Sequence, residues 1–437
     1  MNKLKCFIKY ILVLTALAGV LTIPTSAVAQ DDEGEVSVEL TPANKNAIFD
    51  AVAKYTFEVK NSTTEDQLGK VSYIVTTPDG EKVKEDSMQV KIVKKGAEKY
   101  NFSIPQSKPG FYKINVMINV SYYDDTVKKA FGIRPEQIKS EHERPKDFDE
   151  FWQKVKDELA GIDPDFQVTP MPEMDKDNRH VYLIEMKSLD SMTIRGWMTV
   201  PILKNPKKKF SVLLGLPGYQ VNLDPLMGID DDLAIITLNV RGQGNSRGPI
   251  DTRKDEFIFY HVENKDRYVM RGVIADCLRA VDFIFSRPEL KHDNILVSGG
   301  SMGGFLALAT ASLDSRIRLC SAQNPILCDI RNLVGAVDWP ISSIQKYVAT
   351  QPGLTMDKVL GNLDYFDVKN FMPNITCSVL MGIGSLDPFA PPANEFAAYN
   401  NIKSNKRMMV FKDLAHEISQ SYKDFEGRWM RDTFALF

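Results

Sequence analysis

The chain has 437 residues, of which 43% are hydrophobic and 25% charged, and its formal net charge is -3. That length exceeds one average domain, and the composition is that of an ordinary folded globular protein rather than a disordered or fibrous one. With no basic excess and no long run of like charge, neither nucleic acid nor an anionic membrane is expected as a partner, and a small neutral or mixed substrate fits better.

Lys3, Lys5 and Lys9 precede an apolar run from Tyr10 to Leu21, and Ala27-Val28-Ala29 has the small-x-small pattern of a signal-peptidase site. The run falls short of the ~20 apolar residues that a spanning helix needs. Residues 1–29 therefore read as a signal peptide cleaved after Ala29. The mature protein is expected to be exported, periplasmic or secreted, with no membrane attachment once the leader is gone. Beyond the leader stand Cys277, Cys320, Cys328 and Cys377. Disulfides can form in such a compartment, and spacing alone assigns no pairing. The helical setting of Cys277 and the apolar runs around Cys320 and Cys377 favour buried free thiols. Neither C-x-x-C nor H-E-x-x-H occurs, so no metal site is expected.

From Val36 to about Ile133 the pattern has period two, clearest where Tyr112, Ile114, Val116, Ile118 and Val120 alternate with Lys113, Asn115, Met117 and Asn119. Turn chemistry at Pro78-Asp79-Gly80 and Pro109-Gly110 separates short strands. Residues 30–135 are thus expected to form a small all-β, immunoglobulin-like sandwich. It shows no catalytic constellation and reads as a packing or spacer module, with carbohydrate binding as the functional alternative.

After a charged, proline-containing linker the period becomes helical: Phe148, Phe151, Trp152, Val155 and Leu159 share one face, with Asp147 and Glu150 placed for a capping box. Residues 136–437 then alternate apolar runs with helical patterns, which predicts an α/β domain with a doubly wound, mainly parallel sheet. Sites in such sheets lie at the carboxyl ends of the strands.

One of those ends is Ile295-Leu296-Val297-Ser298-Gly299-Gly300-Ser301-Met302-Gly303-Gly304, an apolar strand entering a glycine-lined turn before a helix expected near Phe305. The turn displays one hydroxyl, Ser301, in a strained conformation, with Gly299 and Gly303 needed where strand and helix converge. A serine hydroxyl is a weak nucleophile unless a base takes its proton and an acid holds the base. Of five histidines, His416 alone follows a late strand and opens a loop before the last helix. Asp387 ends the preceding strand and supplies the acid in the order nucleophile, acid, histidine; Asp364, Asp367 and Asp413 are weaker candidates. The N–H groups of Met302 and of Tyr219, in the loop after an earlier strand, are placed to receive the carbonyl oxyanion.

Arg241-Gly242-Gln243-Gly244, Gly299-Gly300-Ser301-Met302-Gly303-Gly304, Asp387 with Pro391-Pro392 and Phe396-Ala397-Ala398-Tyr399-Asn400, and His416-Glu417 together resemble the acetyl xylan esterase and cephalosporin C deacetylase family of α/β-hydrolases. The resemblance runs from about Arg144 to the C-terminus. It implies a Ser301–Asp387–His416 triad, an oxyanion hole at Tyr219 and Met302, and Arg241 and Gln243 bracing the loops that hold the serine and the histidine. It also implies an acetylated oligosaccharide or similar small ester as substrate, no cofactor, and a homo-oligomer that the added N-terminal domain could obstruct. Three positions depart from the family pattern: Met302 replaces a glutamine and so alters the pocket wall, Pro217 replaces a histidine, and no glycines follow His416-Glu417.

The reaction expected is deacetylation through an acetyl-enzyme. A prolyl-oligopeptidase-like peptidase shares the turn and the triad order, but the N-terminal segment is too short for its propeller. An acyl ester or thioester hydrolase with a β domain is a further alternative. A silenced hydrolase fold that only binds glycans is the non-enzyme alternative, and the intact triad argues against it.

Overall fold

The computed structural model describes residues 34–202, 209–228, 232–253 and 256–436, so the expected leader lies outside the described residues. Eight strands come first: β1 (Val36–Pro42), β2 (Ile48–Phe49), β3 (Val52–Asn61), β4 (Gln67–Thr76), β5 (Lys82–Ile92), β6 (Gly96–Pro105), β7 (Gly110–Val120) and β8 (Tyr123–Ile133). They form a three-stranded sheet, β1-β3-β6, and a five-stranded sheet, β2-β8-β7-β4-β5. The alternating apolar residues of both sheets, among them Phe57, Ile104, Val71 and Ile114, meet in one core, which makes the pair a sandwich.

The second part opens with α1 (Phe148–Ala160), which buries Phe148, Phe151, Trp152, Val155 and Leu159, the three aromatic rings against Tyr365, Phe366 and Phe371. Burial of side chains of this size stabilises by about 1.5–3 kcal/mol each. The expected capping box does not form. Asp147 stands at the N-cap, but its carboxylate accepts the Tyr365 hydroxyl at 2.5 Å instead of a helix N–H, since the docking of α1 on Tyr365 brings that stronger donor within reach.

Then follow β9 (Gln167–Pro170), β10 (Arg179–Lys187), β11 (Thr193–Pro201), β12 (Phe210–Leu216), β13 (Leu233–Asn239), α2 (Val269–Ser286), β14 (Leu290–Gly300), α3 (Met302–Leu313) and β15 (Leu319–Gln323). The chain continues through α4 (Ser343–Thr350), α5 (Met356–Leu363), α6 (Val368–Phe371), β16 (Ser378–Gly384), α7 (Pro392–Tyr399), β17 (Lys406–Phe411) and α8 (Gln420–Phe434). The nine strands β9 to β17 make one sheet in the order β17-β16-β15-β14-β12-β13-β11-β10-β9. From β17 to β13 neighbours are parallel, whereas β11, β10 and β9 complete the sheet antiparallel.

Both faces are covered, as period two requires. Val212, Leu214 and Val297 join the large core with α2 and α3, while Leu213, Leu233 and Leu296 pack under Met430 and Phe434 of α8. All four cysteines beyond the leader are free and buried. Among the described residues no helix is long and apolar enough to cross a membrane.

Candidate active site

The turn between β14 and α3 is as tight as its glycines suggest. A Cβ on Gly299 would fall 2.4 Å from the Gly303 carbonyl carbon, and one on Gly303 would fall 2.4 Å from Leu216 O. Ser301 occupies φ 60°, ψ -122°, a conformation that costs a non-glycine residue roughly 1–3 kcal/mol. It is held there because Ser301 N–H donates to Gln323 O at 2.8 Å and Ser301 O accepts from Phe305 N–H at 3.1 Å. The helix begins at Met302, three residues before the expected Phe305, because the serine itself is the N-cap.

Ser301 Oγ lies 2.8 Å from His416 Nε2, and His416 Nδ1 lies 2.6 Å from Asp387 Oδ2. The other carboxylate oxygen, Asp387 Oδ1, accepts the N–H groups of Phe389 and Ala390 at 2.8 and 2.9 Å. That carboxylate is completely buried, while the imidazole keeps 21% of its surface exposed toward any substrate. The loop bearing His416 is clamped to the end of β16: Leu386 N–H donates to Leu414 O at 3.0 Å, and a Cβ on Gly384 would fall 2.0 Å from Ala415 O.

The remaining histidines lie elsewhere. His180 pairs with Asp175, His261 with Glu263, and His292 stacks on Phe285, while His142 contributes its carbonyl to Lys369. Asp364 and Asp413 bind Arg331 and Lys129, and Asp367 is buried under the N–H groups of Asp329, Ile330 and Lys369, where burial pushes its carboxyl up to about 7.

Among the described residues, the N–H groups of Met302 and Tyr219 donate to no carbonyl or side chain, which leaves both free for an oxyanion. Such a serine, histidine and carboxylate beside unused donors can perform acyl transfer without a metal. A model of the family described as acetyl xylan esterase (AXE1) matches residues 135–433. The chain belongs to the acetyl xylan esterase family.

Among its relatives, the acetyl esterase Axe7A of Xylanibacter ruminicola is 29% identical over 339 residues, which cover 74% of each chain. Two solved structures resemble the present chain over 68% of its length: acetyl xylan esterase 1 from Thermoanaerobacterium sp. JW/SL YS485, with a TM-score of 0.61 and 26% identity, and the acetyl xylan esterase from Paenibacillus sp. R4, with 0.62 and 28%. These alignments cover 97% and 98% of the two solved chains. The fold is that of the α/β-hydrolases, preceded by the β sandwich.

In this member of the acetyl xylan esterase family the bracing residues act on other loops than expected. Gln243, fully buried, accepts the Gln220 N–H at 2.6 Å and donates to Gly218 O at 3.2 Å and Val221 O at 3.4 Å. It therefore clasps the loop that carries Tyr219, not the serine or histidine loops. Arg241 pairs with buried Asp276 of α2 at 2.8 Å and reaches Asp190 at 3.2 Å and Leu189 O at 3.2 Å, which ties the turn after β10 to α2. Burial alone would lower its pKa, but the adjacent Asp276 and Asp190 outweigh burial and raise it. The Met302 side chain also departs from expectation. It is wholly buried in the core and so does not wall the pocket; only its backbone faces the chemistry.

Some residues near the site carried no readable motif. Phe389 and Trp339 lie among loops without periodicity, though an aromatic two residues after the acid was a usable signal. Glu395 on α7 is completely buried, with neither carboxylate oxygen hydrogen-bonded among the described residues. Burial, and then the nearby Asp387, raise its pKa well above the usual carboxylate range.

Proposed function

We propose that this chain is an exported serine esterase that removes O-acetyl groups from xylan-derived or similar oligosaccharides. The observation that carries the reading is His416 bridging Ser301 Oγ and Asp387 Oδ2 at 2.8 and 2.6 Å beside two unused backbone donors. His416 Nε2 takes the Ser301 proton as Oγ attacks the acetyl carbonyl, and Asp387 fixes the tautomer with the proton on Nδ1. The N–H groups of Met302 and Tyr219 receive the oxyanion, each contributing about a hundred- to thousand-fold in rate. Collapse breaks the bond to the sugar oxygen, which takes the proton and leaves as a hydroxyl, and the remaining acetyl-enzyme is hydrolysed to acetate by water activated by the same imidazole. In this reading residues 1–29 direct export and 136–437 form the catalytic domain.

The substrate class is supported by the family match and by what the relatives are named for, an acetyl esterase and two acetyl xylan esterases. The deciding experiment measures acetate released from acetylated xylo-oligosaccharides by the protein and by Ser301→Ala, with a longer acyl ester and a peptide in parallel. The expected result is release by the parent and a fall on the order of 10⁴- to 10⁶-fold in the variant. Turnover of only the longer ester or the peptide would overturn the substrate, and undiminished turnover by Ser301→Ala would overturn the mechanism.

A further inference from the structure

A run of aromatic rings spans the site from base to oxyanion loop, and the acyl-transfer chemistry leaves it unused. Phe389 meets the His416 imidazole edge to face, with centroids 5.3 Å apart and planes at 83°. Trp339 lies 6.2 Å beyond Phe389 and 4.9 Å from Tyr219. The run thus starts at the base and ends at the residue whose N–H is placed for the oxyanion, with Ser301 Oγ held against His416.

The Phe389 backbone and the Trp339 ring are each tethered before any ligand arrives. Phe389 N–H donates to Asp387 Oδ1 at 2.8 Å, and Trp339 Nε1–H donates to Glu256 Oε1 at 2.9 Å. A preorganised platform spares the ordering cost that a flexible one would incur on binding. Phe389 nevertheless keeps 37% of its surface exposed. On the other flank of the base, Ile418 is 51% exposed, and its Cδ1 covers Gly300 so closely that a Cβ there would fall 2.8 Å away.

During acylation the bond that breaks joins the carbonyl carbon to the alcohol oxygen, and that oxygen takes the proton which His416 Nε2 received from Ser301. The alcohol must therefore lie beside His416, where Phe389 presents an open ring. We propose that Phe389, backed by Trp339, is the platform on which the leaving sugar ring stacks, so that it selects cyclic, C–H-rich alcohols over short alkyl ones. A pyranose offers axial C–H groups, slightly positive, to the electron-rich face of an aromatic ring. The carboxylate bonded to Trp339, that of Glu256, is engaged by the indole N–H.

This inference rests on the reading of the chain as a sugar-ester deacetylase. Its test compares kcat/KM for an acetylated xylo-oligosaccharide and for ethyl acetate in the full-length protein, Phe389→Ala and Phe389→Tyr. Both substrates form the same acetyl-enzyme, so kcat/KM isolates the step in which the alcohol is present. In Phe389→Ala the ratio of oligosaccharide to ethyl acetate should fall about tenfold, and Phe389→Tyr should restore it. An equal loss on both substrates, which would make Phe389 a support for His416 alone, or no loss on either, overturns the stacking role. A parent enzyme that cleaves ethyl acetate but not the oligosaccharide overturns the substrate reading itself.

Discussion

Gln243→Ala tests the proposed oxyanion role of the Tyr219 loop without touching Ser301, Asp387 or His416. The Gln243 amide supplies three hydrogen bonds to residues 218–221, at 2.6, 3.2 and 3.4 Å, and does so from a fully buried position. Truncation removes the Gln243 bond from the Gln220 N–H and from Val221 O, while Gly218 O keeps the Val221 N–H at 3.2 Å. A buried group stripped of its partner costs about 1–3 kcal/mol, but Gln220 and Val221 are exposed and water can replace the lost amide, so a stability loss of about 1 kcal/mol is expected. The effect on rate should be larger. Tyr219 N–H lies inside the clasped loop, and a displacement of about 1 Å at such a group typically costs on the order of a hundredfold. The expected outcome is a kcat lower by about a hundredfold with KM little changed, read by acetate release well below the melting temperature. Gln243→Glu, which keeps the acceptor for Gln220 but turns a carboxylate oxygen toward two carbonyls, should fall comparably. A kcat within threefold of the parent, with the stability loss present, would refute the assignment of this loop to the oxyanion.

Arg241→Met removes the partner of a fully buried Asp276, and an uncompensated buried charge should cost roughly 3–5 kcal/mol in chemical denaturation; a loss under 1 kcal/mol would show that the pair is dispensable. Glu395→Gln tests the raised carboxyl beside Asp387. A group held protonated in the folded state above its ordinary 4.5 contributes fully below about pH 4.5 and loses that contribution as pH rises, so the parent should lose more melting temperature than the variant between pH 5 and pH 8, and parallel curves would refute the shift. Phe111→Ala empties a buried contact between β7 and α7, where the Phe111 and Phe396 rings sit 5.6 Å apart. It should cost about 3 kcal/mol and lower kcat, whereas an unchanged kcat in the folded variant would separate that contact from catalysis.

The contact of Ser301, His416 and Asp387 was legible because each residue follows the end of a strand in a fixed chain order, which short apolar runs and glycines reveal. The sandwich was legible for the same local reason, the alternation along β7. What stayed hidden depends on contacts between segments far apart in sequence. Asp147 carries a capping signature, yet Tyr365, more than two hundred residues away, takes its carboxylate. The motif around Arg241 and Gln243 was visible, but its targets at residues 188–190 and 218–221 become neighbours only when the sheet closes. Trp339 and Phe389 belong to loops with no period to read, and they meet each other, Tyr219 and His416 only in the folded chain.

The sandwich docks where the catalytic sheet is most in need of support. β17 is an edge strand, and an exposed edge frays and invites wrong pairing. Phe111 of the sandwich packs with Ile383 of β16 and Phe396 of α7, and the same cluster covers Met408 and Val410 of β17. Asn400 Nδ2 donates to Pro135 O and Ile138 O of the connecting segment at 2.9 and 2.8 Å, and Lys129 pairs with Asp413 at 2.5 Å, three residues before His416. Exposed ion pairs of this kind contribute at most about 1 kcal/mol, so the apolar cluster carries the docking and the charge pair sets its register. Ser301 is anchored instead by β14, β15 and the buried α3, which hold it at the centre of the sheet. Ser301 and His416 therefore rest on different supports, and the 2.8 Å contact between Ser301 Oγ and His416 Nε2 depends on how firmly the edge bearing Asp387 and His416 is held. In the proposed mechanism that dependence would give the sandwich a place in the chemistry, by holding Asp387 and His416 against a serine it does not touch.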